Sequence, residues 1–291
     1  DEIQRMKQVV REAIAAGAMG FSTSRALTHT DGDGEPVPSR IASHDEIVEL
    51  SRTLAEFNVG EIELVPRSIF QGIEQDEREL MIRLAKESGR FIYWNEFFYT
   101  DMWRDTAQFM VEANAQGAQV YTANRSEYPR SEVSLKEPLL LVGMPTWRDV
   151  LMYTSFDEKM RSLRDPSTRE AMRWDVDHDS SIFKPQWSRM FVKKTNRPEN
   201  WRLEGKSIAQ IATEQGKHGA DAMLDLAVEE QLDTLFLSVG TTASDESSLP
   251  DFINYPYAIT GLSDAGAHIA TGCGADYTTF FLRHWVQEQR I

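Results

Sequence analysis

The chain has 291 residues, with 46 acidic against 31 basic side chains and a formal charge of −15. That balance disfavours sequence-independent binding to nucleic acid or to an anionic membrane, both of which need clustered Lys and Arg. Hydrophobic content of 41% is enough for a sizeable core, and Cys273, the single cysteine, excludes an intrachain disulfide. No apolar stretch approaches the roughly 20 residues of a bilayer-spanning helix, and the amino end lacks a charged-then-apolar export signal. The expectation is a soluble, cytoplasmic protein.

From the amino end, a unit recurs: an amphipathic helix, a glycine, then a short β-rich run. Ile3, Met6, Val9, Val10, Ala13 and Ile14 keep helical spacing before Gly17 and the run 18–23. Ile47, Leu50, Leu54 and Phe57 do the same before Gly60 and the run 61–65, with Ser43 to Glu46 reading as a capping box. Leu80, Leu84 and Ala85 precede Gly89 and 90–95, and Phe109, Met110 and Ala113 precede Gly117 and 118–122. Glycine just past a helix is a left-handed stop that releases the chain toward the next strand. Alternating helices and short strands predict parallel βαβ units, and the absence of a nucleotide-binding glycine fingerprint favours a barrel over a doubly wound sheet.

Residues 126–205 break this repeat. They hold six of the prolines and four of the seven tryptophans, a composition that suits a lid, a binding subdomain or an interface. Two helices are expected near 207–214 and 220–230, and 235–239 is a candidate sixth strand. The fifth confident strand, 257–262, runs into Ser263-Asp264 and a small-residue loop closed by His268. The predicted fold class is α/β, a partial TIM-like (β/α)8 barrel with a large insertion before its last strand. Its expected divisions are 1–125 (βα units), 126–205 (insertion or lid) and 206–291 (closing segment). Because the chain opens on a helix and yields five or six strands, it reads as the C-terminal part of a larger enzyme.

An acid at the C-terminal mouth of a buried barrel strand is where such enzymes keep catalytic groups, so Asp264 is the first candidate, with His268 four residues on. Ser22, Ser24 and Arg25 follow the first strand at the same mouth. Arg67 and Asn95 sit at the ends of the next two, where a carboxylate clamp and an amide ligand would serve. His29-Thr-Asp31 has metal-ligand spacing but reads as a surface turn. Asp175 to Asp179 fails as a calcium loop, because Ser180 and Gln186 stand where glycine and glutamate are required. His44, His218 and His284 read as structural or exposed, and Cys273 lacks a basic partner nearby in sequence.

Three segments together, Gly17-Ala-Met-Gly-Phe-Ser-Thr-Ser24, Glu35-Pro-Val-Pro-Ser-Arg40 and Gly261-Leu-Ser-Asp-Ala-Gly-Ala-His268, resemble the D-aminoacylase branch of the amidohydrolase superfamily. The closing Phe280-Phe-Leu-Arg-His-Trp285 is similar as well. The resemblance implies a metal-dependent barrel, usually with zinc, that hydrolyses the amide of an N-acyl-D-amino acid or a related small molecule. Asp264 would match the aspartate that binds the metal and shuttles a proton. The chain departs from the family pattern at the ends of the second and third runs. These read Glu61-Ile-Glu-Leu-Val-Pro-Arg67 and Ile92-Tyr-Trp-Asn-Glu96, without the expected histidines, and the family's H-x-H pair would lie before Asp1. The expected partner is a small amide, with a homo-oligomer as one way to cover an open barrel edge. The alternative reading is a catalytically degenerate barrel kept as a binding or assembly protein.

Overall fold

The computed structural model describes residues 2–27, 29, 31, 35–67, 72–126, 130–136, 138, 141–152, 155–178, 185–240, 247–263, 265 and 274–291. Its strands are β1 (Gly20–Ser24), β2 (Glu61–Val65), β3 (Ile92–Phe97), β4 (Val120–Asn124), β5 (Arg130–Val133), β6 (Met190–Lys194), β7 (Leu235–Val239) and β8 (Ala258–Thr260). The chain divides into two units. One comprises Asp1–Ser126, Ala243–Ser263 and Asp276–Ile291, the other Glu127–Thr242 and Asp264–Ala275.

The first unit is built on a parallel sheet in the order β1-β2-β3-β4-β8. Its helices are α1 (Glu2–Ala15), α2 (Pro38–Ile41), α3 (His44–Ser51), α4 (Thr53–Phe57), α5 (Gln75–Ser88) and α6 (Trp103–Ala115). Ser43 caps α3, its hydroxyl accepting the Glu46 N–H at 3.1 Å, and Gly89 ends α5 in the left-handed region at φ +66°. The alternation of β2 divides the layers. Ile62 and Leu64 are buried with Leu80, Met81, Leu84, Ile92, Trp94, Met110 and Val120, while Glu61 and Glu63 are half-buried at the alternate positions of the strand. Gly20 is required where β1 meets β2, because a Cβ there would lie 2.2 Å from the Glu61 carbonyl oxygen.

The second unit holds a three-stranded antiparallel sheet, β5-β7-β6, so the candidate sixth strand 235–239 is the middle of this sheet and not a member of the parallel series. Around it lie α7 (Pro145–Leu151), α8 (Phe156–Ser162), α9 (Pro166–His178), α10 (Ile208–Gln215) and α11 (Gly219–Glu229). The tryptophan-rich stretch feeds this core. Trp147 is fully buried and its Nε1 donates to the Met172 carbonyl at 2.9 Å, among Leu163, Met190, Val192, Met223 and Phe236. A capping box, Ser207 with Gln210, opens α10.

The chain then returns to the first unit through α12 (Leu249–Ile253), β8, α13 (Tyr277–Phe280) and a π-helical segment, Phe281–Gln289. Phe252 packs against Phe97 and Trp103, with ring centroids 4.5 and 5.7 Å apart. Trp285 Nε1 donates to the Ser126 carbonyl at 2.6 Å. Among the described residues the parallel sheet remains open, with β1 and β8 at its edges, and no helix is long and apolar enough to cross a membrane.

Candidate functional site

In-register parallel pairing aligns one residue from each of β1 to β4: Ser22 with Glu63, Glu63 with Tyr93, and Tyr93 with Tyr121. The Ser22 hydroxyl donates to Glu63 Oε2 at 2.6 Å. Burial, reinforced by Glu63, Glu61, Tyr277 and Glu96, raises the Tyr93 phenol above its usual range, so it remains an O–H donor at neutral pH. Tyr121 continues the row toward Tyr257, with rings 6.1 Å apart.

Toward the C-terminal ends of the strands the chemistry becomes ionic. Arg125, directly after β4, donates from Nε to Glu96 Oε1 at 2.5 Å and from Nη2 to Glu96 Oε2 at 3.1 Å. Beside Glu96, the Asn95 Oδ1 atom is buried and has no hydrogen-bond partner among the described residues. Asn124 ties β4 to β8, accepting from the Thr260 hydroxyl at 2.7 Å and donating to the Phe252 carbonyl at 3.2 Å.

Arg25 and Arg67 meet carboxylates from α5 and the residue before it. Arg25 is 7% exposed; its Nε donates to Glu77 Oε1 at 2.6 Å and its Nη1 to the Ala42 carbonyl at 3.0 Å. Glu77 Oε2 accepts the Arg67 N–H at 3.0 Å. The Arg67 guanidinium pairs with Glu74 and, at 2.8 Å, with Asp76. Hydrogen bonds that the guanidinium donates to Glu74 and then to Asp76 raise the Arg67 pKa. Burial opposes ionisation of Asp76, but the hydrogen bond and charge of Arg67 outweigh it and hold the carboxyl below its ordinary value. Ser24 Oγ lies 2.6 Å from His29 Nδ1 and accepts the Ala26 N–H at 3.2 Å.

His44, Asp76 and Glu77 bring potential metal-ligand atoms within 4.8 Å of one another. The donor set does not suit zinc, because both Glu77 oxygens already accept from arginine N–H groups, and a metal would have to displace the buried Arg25. The ends of β2 and β3 offer Arg67, Asn95 and Glu96, not imidazoles. The described residues therefore do not form the zinc site that the resemblance implies.

Asp264 and His268 lie outside the described residues, as does Cys273. Asp175 is buried and accepts the Thr146 N–H in the first turn of α7 at 2.6 Å. His218 caps α11 by accepting the Ala220 N–H, and His284 contacts Glu288 at 3.0 Å. Sequence reading missed Glu63, Tyr93, Glu96 and Arg125. The visible signal was the Glu61-Ile-Glu63 alternation in an otherwise apolar strand, but the Glu96–Arg125 pairing depends on strand neighbours 29 residues apart.

No family model and no curated relative matches the chain. Solved structures do. An N-acyl-D-glutamate deacylase from Bordetella bronchiseptica, complexed with zinc and a phosphonate inhibitor, is 18% identical over 89% of this chain and 42% of its own, with a TM-score of 0.44. A D-aminoacylase described as defining a novel subset of amidohydrolases is 18% identical over 90% of this chain and 42% of its own, with a TM-score of 0.44. A D-aminoacylase studied for its binuclear metal center gives 19%, 90%, 42% and 0.42 for the same four measures. The chain spans about two fifths of the length of each of these proteins.

Proposed function

We propose that this chain carries part of the active site of a hydrolase that cleaves a small amide, with an N-acyl-D-amino acid as the substrate class. The observation that carries the reading is the parallel pairing of β8 with β4. It makes the strand leading into Ser263-Asp264 a member of the same sheet as β1 to β4, and catalytic groups of α/β enzymes gather at the C-terminal ends of such strands. Together with the Gly261–His268 and Gly17–Ser24 signatures, this favours amide hydrolysis.

In this reading Asp264 takes a proton from the attacking water and returns it to the leaving nitrogen, with His268 as its neighbour. Water oxygen bonds to the acyl carbon, the C–N bond breaks, and the products are a carboxylate and an amine. Ser22 and Ser24 sit on the first strand of the same sheet, Asn95 accepts from the substrate, and Arg25 and Arg67 brace the strand ends through α5. Zinc enters only as an expectation of the resemblance, held by Asp264 with ligands outside the described residues, and no step above depends on it. The absence of histidine at the ends of β2 and β3 favours a second reading, a degenerate barrel that binds but does not hydrolyse.

Amine release from N-acetyl-D- and N-acetyl-L-amino acids by the full-length protein separates the two readings. Turnover of a D-isomer is expected. Stoichiometric binding of the same compounds without turnover would establish the second reading, and neither binding nor turnover would refute both.

A further inference from the structure

The last residue of β1, Ser24, meets the ring of His29: Oγ lies 2.6 Å from Nδ1 and also accepts the Ala26 N–H at 3.2 Å. The geometry points to a nucleophilic serine. Ser24, with His29 as its base, takes the acyl group of an activated ester and passes it to water. This ester cleavage goes beyond the proposed amide hydrolysis, does not rest on it, and makes no use of Asp264.

Both side chains stand on anchored backbone. Ser24 precedes Arg25, whose N–H donates to the Val65 carbonyl at 2.8 Å and whose guanidinium is paired with Glu77. The His29 N–H donates to the Ala26 carbonyl at 3.0 Å, and the His29 carbonyl accepts from Arg40 Nη1 at 3.0 Å. Nucleophile and base are therefore held in reach of each other before any substrate arrives. Ser24 is half-buried and His29 exposed, so the pair is open to a small electrophile.

A serine that only closed a turn would need the Ala26 bond alone; the imidazole is a second partner. In the tautomer that carries its proton on Nε2, Nδ1 is the acceptor for the hydroxyl proton. Ser22, two residues earlier, is the contrast. Its hydroxyl donates to Glu63 Oε2, and carboxylates are ordinarily weaker bases than imidazoles by about two pKa units.

In the first step Oγ bonds to the acyl carbon, its proton passes to Nδ1, and the leaving oxygen departs with that proton as an alcohol. Water then adds to the same carbon and gives a proton to Nδ1. The bond to Oγ breaks, Oγ regains the proton, and a carboxylic acid is released. Base assistance of this kind contributes about 10²–10⁴-fold, enough for an ester with a good leaving group. It falls short of the roughly 10⁶-fold or more that enzymes reach on unactivated bonds, which sets the substrate class.

The test treats the full-length protein with an alkyl fluorophosphonate, from which Oγ displaces fluoride to leave a stable phosphonyl ester. Peptide mapping by mass spectrometry then identifies the labelled residue, with no need for amide turnover. The adduct is expected on Ser24 and not on Ser22. His29→Gln keeps a hydrogen-bonding side chain without a basic nitrogen, and is expected to label about 100-fold more slowly at an unchanged melting temperature. No adduct on Ser24, an equal adduct on Ser22, or equal rates in His29→Gln and the parent would overturn the proposal. Should the variant melt early, the parent labelled before and after unfolding in urea decides. Loss of the Ser24 adduct on unfolding supports the pair, and equal labelling overturns it. Turnover is read with p-nitrophenyl acetate, where continued p-nitrophenol release that Ser24→Ala abolishes is expected. A burst that stops at one equivalent per chain would overturn the transfer to water.

Discussion

Arg25 and Glu77 form an ion pair removed from solvent, with Nε 2.6 Å from Oε1 and exposures of 7% and 0%. The pair joins the end of β1 to the first turn of α5, and the second Glu77 oxygen holds the backbone after β2 through the Arg67 N–H. One carboxylate thus fixes two adjacent strand ends. Glu77→Ala is expected to destabilise the protein by about 3–5 kcal/mol, the usual result of leaving a buried charge without its partner. Urea unfolding checks this, and a midpoint equal to the parent's would show that Arg25 finds another partner or water.

Gly20→Ala places a methyl against the Glu61 carbonyl where β1 and β2 pair. The strands must separate or shift, with an expected loss of about 1–3 kcal/mol. Hydrogen exchange should also show faster exchange of the β2 amides than in the parent. Unchanged exchange would mean that the first strand does not approach so closely.

The Arg67–Asp76 contact predicts a pH dependence of known sign. The folded-state carboxyl is held below its ordinary value, so its contribution to stability is complete above about pH 4 and is lost as pH falls through the folded value. Arg67→Leu should flatten the acid limb of a urea-midpoint profile taken from pH 6 to pH 2.5. An equally steep limb in the variant would assign it to other carboxylates.

Tyr93 gives a signal at the other end of the scale. Its raised pKa means that its contribution to stability is complete below the ordinary tyrosine value, about 10, and is lost as pH rises through the folded value. Tyr93→Phe should remove a late component from the phenolate absorbance titration of the folded protein. Loss of an early component instead would contradict the burial of this phenol beside Glu63.

Strands β1 to β4 were legible in the sequence because each is a short β-rich run preceded by a helix and a glycine, and β8 because its apolar run stops at Ser263-Asp264. Helix stops at Gly89 and the Ser43 cap were legible for the same local reason. Leu235–Val239 was also visible as a strand, but its sheet was not. A five-residue apolar run looks alike in parallel and antiparallel pairing, and its partner β5, Arg130–Val133, is polar and only four residues long. At the site, Arg25 and Arg67 could be placed at strand ends, yet their engagement depends on Glu74, Asp76 and Glu77, which come from α5 and the residue before it. The row Ser22, Glu63, Tyr93 and Tyr121 needs the strand register, which no local pattern encodes.

We propose that the strand leading to Asp264 delivers the acid of an amide hydrolase. The most direct measurement is kcat for Asp264→Asn and for the parent on the best N-acetyl-D-amino acid, with thermal melts of both. Asp264→Asn is expected to lose about 100-fold or more at an unchanged melting temperature, as expected for removing a general base. Turnover within about tenfold of the parent would contradict it.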